Sequence, residues 1–224
     1  LCRRYVHSER KGKLKDVLEL YWKLRKESED IGDSIAEKFG VEHYEDPASF
    51  FSMSFNNITI TLELLDYYYD LWGKLDPLKF PNIDLTKKQN GERVLMAQKM
   101  CFIENMSSFE FLAKKITLNN EDIFGVFNGR VYLFNIMKKS KSLGLIDEST
   151  FNLWSGLIEL RNTIIHNNAI SEKNVIYNYS TVKLEFIKNE MIQGNLKMYP
   201  LLIHWLIKNA ERWLIEIDVR LENN

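Results

Sequence analysis

The fold class this sequence predicts is all-α, with an N-terminal helical hairpin and a small β-hairpin just before the last helix. Three observations carry that expectation. Apolar residues recur at spacings of three and four along most of the 224 residues. The 10 Gly and 4 Pro are few for a chain of this length and fall mainly between periodic segments. Only one stretch, 175–195, switches to strand-like alternation.

The elements follow in order. Over 13–39, Leu14, Val17, Leu18, Tyr21, Trp22, Leu24, Ile31, Ile35 and Phe39 mark one long amphipathic helix, which Gly40 stops. After Asp46-Pro47 a second helix runs over 48–75 with Leu62, Leu64, Leu65, Tyr68, Leu71 and Trp72 on it, and the two helices form a hairpin. The polar segment 76–91, with Pro77 and Pro81, reads as a loop or linker. A third helix over 92–116 is apolar over much of its surface and belongs at the centre of the core. Asn119-Asn120-Glu121-Asp122 interrupt the pattern, a helix over 130–142 follows, and Gly144 ends it. Asp147-Glu148-Ser149-Thr150 supply N-cap chemistry for a helix reaching His166. Val175-Ile176-Tyr177 and Val182 to Phe186 alternate as short strands, with Gly194-Asn195 read as a turn, and Pro200 opens the last helix.

Composition narrows the function classes. With 45% hydrophobic and 12% aromatic residues the chain is expected to be soluble and globular. Thirty Lys+Arg against 31 Asp+Glu exclude nucleic-acid binding through bulk positive charge, so any such contact must be local. The balance conceals segregation: the first fifteen residues carry six basic and one acidic side chain, whereas 27–46 carries eight acidic and one basic. Cys2 and Cys101 are too far apart in sequence to suggest a disulfide framework. No run of 18 apolar residues occurs, and Leu1-Cys2-Arg3-Arg4-Tyr5 is not a signal-peptide start, so a cytoplasmic protein without a membrane span is expected. The histidines His7, His43, His166 and His204 lack metal-site spacing, and dinucleotide, P-loop and serine-hydrolase motifs are missing; neither metal nor cofactor is expected.

One helix stands apart. With Leu153 at zero and about 100° per residue, the apolar arc of 153–166 spans Leu160, Ile164, Leu157, Trp154, Ile165 and Ile158. Arg161 falls inside that arc, where a permanent charge is costly unless it is paired or borders a cleft or interface. Asn162, His166 and Glu159 share the opposite arc. A histidine that exchanges protons near neutrality, beside an arginine able to hold phosphate, is what metal-free phosphodiester cleavage requires. A snorkelling Arg with a C-capping His reads the same residues in purely structural terms.

The string Arg161-Asn162-Thr163-Ile164-Ile165-His166 resembles the signature of the HEPN superfamily, the higher eukaryote and prokaryote nucleotide-binding domains: Arg, a polar residue often Asn, then His after four to six intervening residues. The resemblance covers about 92–222 and leaves the first ninety residues unexplained. It implies a compact helical bundle over 92–224; the helical hairpin region 1–91 is read from periodicity alone, and whether it packs onto the same core or stands apart is left open by the sequence. The resemblance further implies a homodimer whose two motifs face one another, and a metal-independent endoribonuclease that uses the RNA 2′-hydroxyl as nucleophile. His166 would be general acid or base, Arg161 would hold the scissile phosphate, and Asn162 would orient His166 or the phosphate. Glu159 is a supporting candidate, and Trp154, Ile158 and Ile165 would flank Arg161 at the dimer interface. Such proteins are commonly toxins or antiviral effectors, some regulated by an antitoxin; the Tyr that one subgroup carries two residues after the His is Asn168 here. A non-catalytic HEPN-type module that binds nucleotides or a partner protein is the alternative implied by the same motif. Lys138, Lys139 and Lys141 could track RNA phosphates, although solvated helix ends explain them as well, and Tyr177 and Tyr179 are candidates for stacking on RNA bases.

Overall fold

The computed structural model describes residues 2–75, 82–127, 130–180, 182–192 and 194–222. In chain order these form α1 (Cys2–Phe39), α2 (Ser49–Gly73), α3 (Ile83–Asn119), α4 (Glu121–Phe124), α5 (Leu133–Ser142), α6 (Glu148–His166), β1 (Val175–Tyr179), β2 (Val182–Phe186) and α7 (Met198–Glu222). The fold is mostly helical, with one two-stranded antiparallel sheet placed just before the last helix.

α1 and α2 pack as the expected hairpin. Val17, Tyr21, Leu24 and Ile35 of α1 are buried against Phe50, Phe51, Ile58 and Leu65 of α2. Gly40, at φ 62°, ends α1: the Val41 N–H donates to the Ala36 carbonyl across a left-handed turn that glycine adopts without a Cβ penalty. Trp22, counted with the apolar stripe in the sequence, points outward instead and lies 5.6 Å from the Arg25 guanidinium.

α1 begins at Cys2, eleven residues before the start expected at 13, because Arg, Lys and Glu are good helix formers that need no core to be helical. The same physics corrects the loop assigned to 76–91. α3 already starts at Ile83, so 83–91 are helical, and 76–81 lie outside the described residues. Polar residues without proline do not interrupt a helix; Asn90 is fully buried, and Gly91 lies under the Trp72 ring. The boundary placed between 91 and 92 therefore falls inside α3. One hydrophobic core runs from Leu14 of α1 to Ile217 of α7, and the two parts of the chain share it.

α3 is the central helix, packed against α2, α5, α6 and α7. Its Phe109 stacks on Trp154 of α6 at 4.7 Å and meets Trp213 of α7 edge-on at 5.7 Å. Trp205 of α7 continues the cluster to Trp154 and to Tyr179 of β1. Four elements thus converge on one aromatic centre, where offset and edge contacts add to the burial of large rings. The Trp213 indole N–H donates to Ser140 Oγ, 2.9 Å away on α5, so its polar edge is satisfied inside the core.

The β-hairpin pairs Tyr177 with Leu184 and buries Val182, Leu184 and Phe186 while Lys183 and Glu185 face out, the alternation seen in the sequence. Its last pair is Tyr179 with Val182, so the strands join there and not at Gly194-Asn195. The latter dipeptide belongs to the connection into α7, where Asn195 Oδ1 accepts the Lys197 N–H. α7 starts at Met198, two residues before Pro200, which sits in the first turn where its missing N–H costs no helical bond. Among the described residues no helix is long and apolar enough to cross a membrane.

Candidate functional site

α6 is fixed at both ends. Asp147 Oδ1 accepts the Thr150 N–H at 2.6 Å, an N-cap that also holds the Asp147 carboxyl below its ordinary range because backbone N–H groups stabilise its charge. At the other end the Thr163 carbonyl accepts the N–H groups of Asn167 and Ala169, and Asn168 and Ala169 turn the chain back at φ 50° and 65°. His166 is consequently the last helical residue and is exposed.

The face that α6 buries is not the arc read from apolar residues alone. Leu157, Leu160 and Ile164 are buried as expected, but so are Thr163 and Gly156, the latter facing the hairpin, where a Cβ on it would lie 2.7 Å from the Tyr177 ring. The buried arc is therefore rotated toward the strands. This leaves Arg161 at the edge of the core, on the same side of the helix as Ile158, Asn162 and His166.

That side forms one wall of an open cavity of about 410 Å³. α6 contributes Ile158, Arg161, Asn162 and His166. α3 contributes Met106 and Glu110, and the segment entering α5 contributes Tyr132, Leu133, Phe134 and Asn135. The three motif residues thus share one cleft.

Within it Arg161 is partly committed. Its Nη1 donates to Asn162 Oδ1 at 3.2 Å, and its Nη2 lies 3.4 Å from Glu110 Oε2. The other oxygen of Glu110 takes the Lys114 ammonium at 2.8 Å. The Arg161 Nε is buried without a hydrogen-bond partner. An arginine has five N–H donors, and here one hydrogen bond to Asn162 and one ion pair to Glu110 engage only part of them, so donor capacity for an anion remains. Because Asn162 gives its carbonyl oxygen to Arg161, it fixes the guanidinium and does not orient His166 through that atom.

Other candidates lie elsewhere. Glu159 binds Lys173 at 2.9 Å and does not line the cleft. Tyr179 is buried and donates its hydroxyl to the Leu153 carbonyl at 2.6 Å; burial pushes the phenol far above its usual range and leaves no ring face for a base. Tyr177 packs on Gly156, across α6 from the cleft, with burial raising its phenol as well. Lys141 bonds Glu148 at 2.9 Å and lies over the Phe151 ring, near the start of α6. Lys138 and Lys139 share that C-terminal part of α5, whereas the cleft receives its N-terminal end. Trp154, proposed to flank Arg161 at an interface, is wholly buried under Phe109 and is unavailable to another chain, whereas Ile165 is 43% exposed.

Glu110 and the aromatic entrance at Tyr132 were not identified from sequence. The one hint for Glu110 is its place as a lone carboxylate between Phe109 and Phe111 on the most central helix. Comparison with protein-family models, with curated proteins and with solved structures gives no match.

Proposed function

We propose that the cleft is the active site of a metal-independent endoribonuclease of HEPN type. The observation that carries this reading is the convergence of Arg161, Asn162 and His166 on one open cavity, with Arg161 held in place yet retaining unused N–H donors. In this reading Arg161 binds the scissile phosphate and offsets its developing charge. The 2′-hydroxyl of the preceding ribose attacks phosphorus, the bond to the 5′-oxygen breaks, and a 2′,3′-cyclic phosphate and a 5′-hydroxyl result. His166 takes the proton from the nucleophile or gives one to the leaving oxygen. A homodimer that brings two copies of His166 together would supply both proton transfers, with the exposed Ile165 beside the cleft as part of its interface. A toxin or antiviral effector, cytoplasmic and held in check by a partner, is the role that accompanies this chemistry.

The test is cleavage of single-stranded RNA in EDTA by the purified chain. Activity should disappear in His166→Ala and Arg161→Ala while circular dichroism remains that of the wild type.

A second reading is favoured by the Glu110–Arg161 pair. A motif arginine already neutralised by a carboxylate suits a non-catalytic module in which the motif ties α6 to α3 and the cleft only binds a nucleotide or a partner. RNA left intact by a chain that binds nucleotides supports it.

A further inference from the structure

The cleft has two chemically different walls. Its polar corner holds Arg161, Asn162 and His166, and the opposite side is apolar and aromatic, built by Met106, Tyr132 and Phe134. Tyr132 and Phe134 are 51% and 42% exposed although both belong to a segment that also buries Leu133, Ile136 and Met137 completely or nearly so. Exposed rings beside a cavity have a large apolar face with nothing on it.

The start of α5 anchors the segment that carries them. Tyr132 is the extended residue that begins α5, at φ −104° and ψ 149°, and its carbonyl accepts the Asn135 and Ile136 N–H groups at 2.9 and 3.1 Å. The Phe134 ring rests against Phe151 with centroids 5.6 Å apart. One turn along, the Asn135 side chain lines the cavity and has no hydrogen-bond partner among the described residues. An exposed aromatic ring on an anchored segment, with an unused amide beside it, offers stacking and edge recognition together.

We infer that this wall is a nucleobase subsite in which Tyr132 stacks on the base adjoining the phosphate held at Arg161, and Asn135 hydrogen-bonds to that base's edge. The inference rests on the proposed reading for its phosphate at Arg161. The cavity volume lies in the range of about 300–1,000 Å³ usual for small-ligand sites. A free phosphate or a sugar phosphate would occupy only the polar corner and leave the rings wet. Stacking tolerates any base, whereas an amide with both donor and acceptor distinguishes base edges, so Tyr132 governs affinity and Asn135 governs preference.

The test compares adenosine 5′-monophosphate, uridine 5′-monophosphate and ribose 5-phosphate by calorimetric titration of the full chain, with circular dichroism to verify each variant's fold. Both nucleotides should bind about tenfold more tightly than ribose 5-phosphate, since stacking on one ring is worth about that much. Tyr132→Ala should bring the nucleotides to the ribose 5-phosphate level without altering ribose 5-phosphate binding, Tyr132→Phe should retain the preference, and Asn135→Ala should narrow the difference between adenine and uracil. Equal binding of nucleotides and ribose 5-phosphate, an equal loss for all three probes in Tyr132→Ala, or full nucleotide affinity in Tyr132→Leu would overturn the subsite, the last by showing that the wall selects for apolar bulk and not for a ring. Binding is read without cleavage, which separates the two claims. A chain that shows the Tyr132-dependent preference yet leaves RNA intact in EDTA refutes the ribonuclease and keeps the subsite. One that cleaves RNA with nucleotide binding indifferent to Tyr132 refutes the subsite alone.

Discussion

Glu110 on α3 and Arg161 on α6 form an ion pair, Oε2 to Nη2, at 3.4 Å, with the two side chains only 15% and 27% exposed. The carboxylate occupies the charge that a phosphate would seek, so it competes with any anion for Arg161. Glu110→Gln removes that competitor while keeping the shape. Its affinity for inorganic phosphate should rise severalfold at low salt, with the gain shrinking as ionic strength increases, because unpaired charges near a surface are screened within about 10 Å at 0.1 M salt. Phosphate binding unchanged by Glu110→Gln at low salt would mean that Arg161 does not receive the anion.

Gly156 is the point where α6 touches the hairpin. A Cβ there would come within 2.6 Å of Tyr179 Oη and 2.7 Å of Tyr177 Cγ, and Tyr179 is buried and tied to the Leu153 carbonyl by its hydroxyl. Gly156→Ala should destabilise the fold by about 1–3 kcal/mol, the usual cost of overpacking, despite alanine's higher helix propensity. Urea titration checks this: the midpoint should fall with an unchanged slope, and a midpoint at or above that of the wild type would contradict the close contact.

The Asp147 cap has a pH signature. Its folded carboxyl lies below the ordinary value because backbone N–H groups of Thr150 and Ser149 favour the charged form. A depressed folded pKa contributes stability above the unfolded pKa of about 3.9, and that contribution is lost as pH falls through the folded value. Asp147→Ala should therefore lower Tm at neutral pH, and the gap from wild type should close progressively on acidification below pH 4. A gap that stays constant to pH 2 would remove the carboxylate from the account.

Cys101 is buried, and burial pushes its thiol up to about 11 against the opposing pull of nearby hydroxyl and amide groups. In a Cys2→Ser background, a disulfide-exchange reagent at pH 8 should leave the native chain unmodified and react with one thiol after denaturation, since the thiolate is the reactive form. Fast native reaction would show that the α2–α3 seam opens readily.

What the sequence made legible divides along physical lines. The ends of α6 could be read because Asp147 and Asn167-Asn168 act locally, through their own side chains and backbone. The β-hairpin strands could be read because Val182, Leu184 and Phe186 alternate with charged residues. The start of α3 could not, since residues 83–91 are mostly polar yet helix-compatible, and with no proline or capping signal at their end the passage from loop to helix leaves no mark in the sequence. The orientation of α6 was misjudged for a related reason. Gly156 carries no hydrophobic signal, so the face it buries against the strands is invisible until the hairpin is in place. Arg161 and His166 were visible as a motif, whereas Glu110 and Tyr132 reach the cleft only through the crossing of α3 and α5 with α6.

The measurement that bears most directly on the ribonuclease is cleavage, in EDTA, of an oligodeoxynucleotide carrying a single ribonucleotide. If the 2′-hydroxyl is the nucleophile and Arg161 and His166 serve it, the wild-type chain should cut only on the 3′ side of that ribose and leave a cyclic phosphate, and His166→Ala should leave the strand whole. Cuts at deoxynucleotide positions, products without a cyclic phosphate, or undiminished cleavage by His166→Ala would contradict the account.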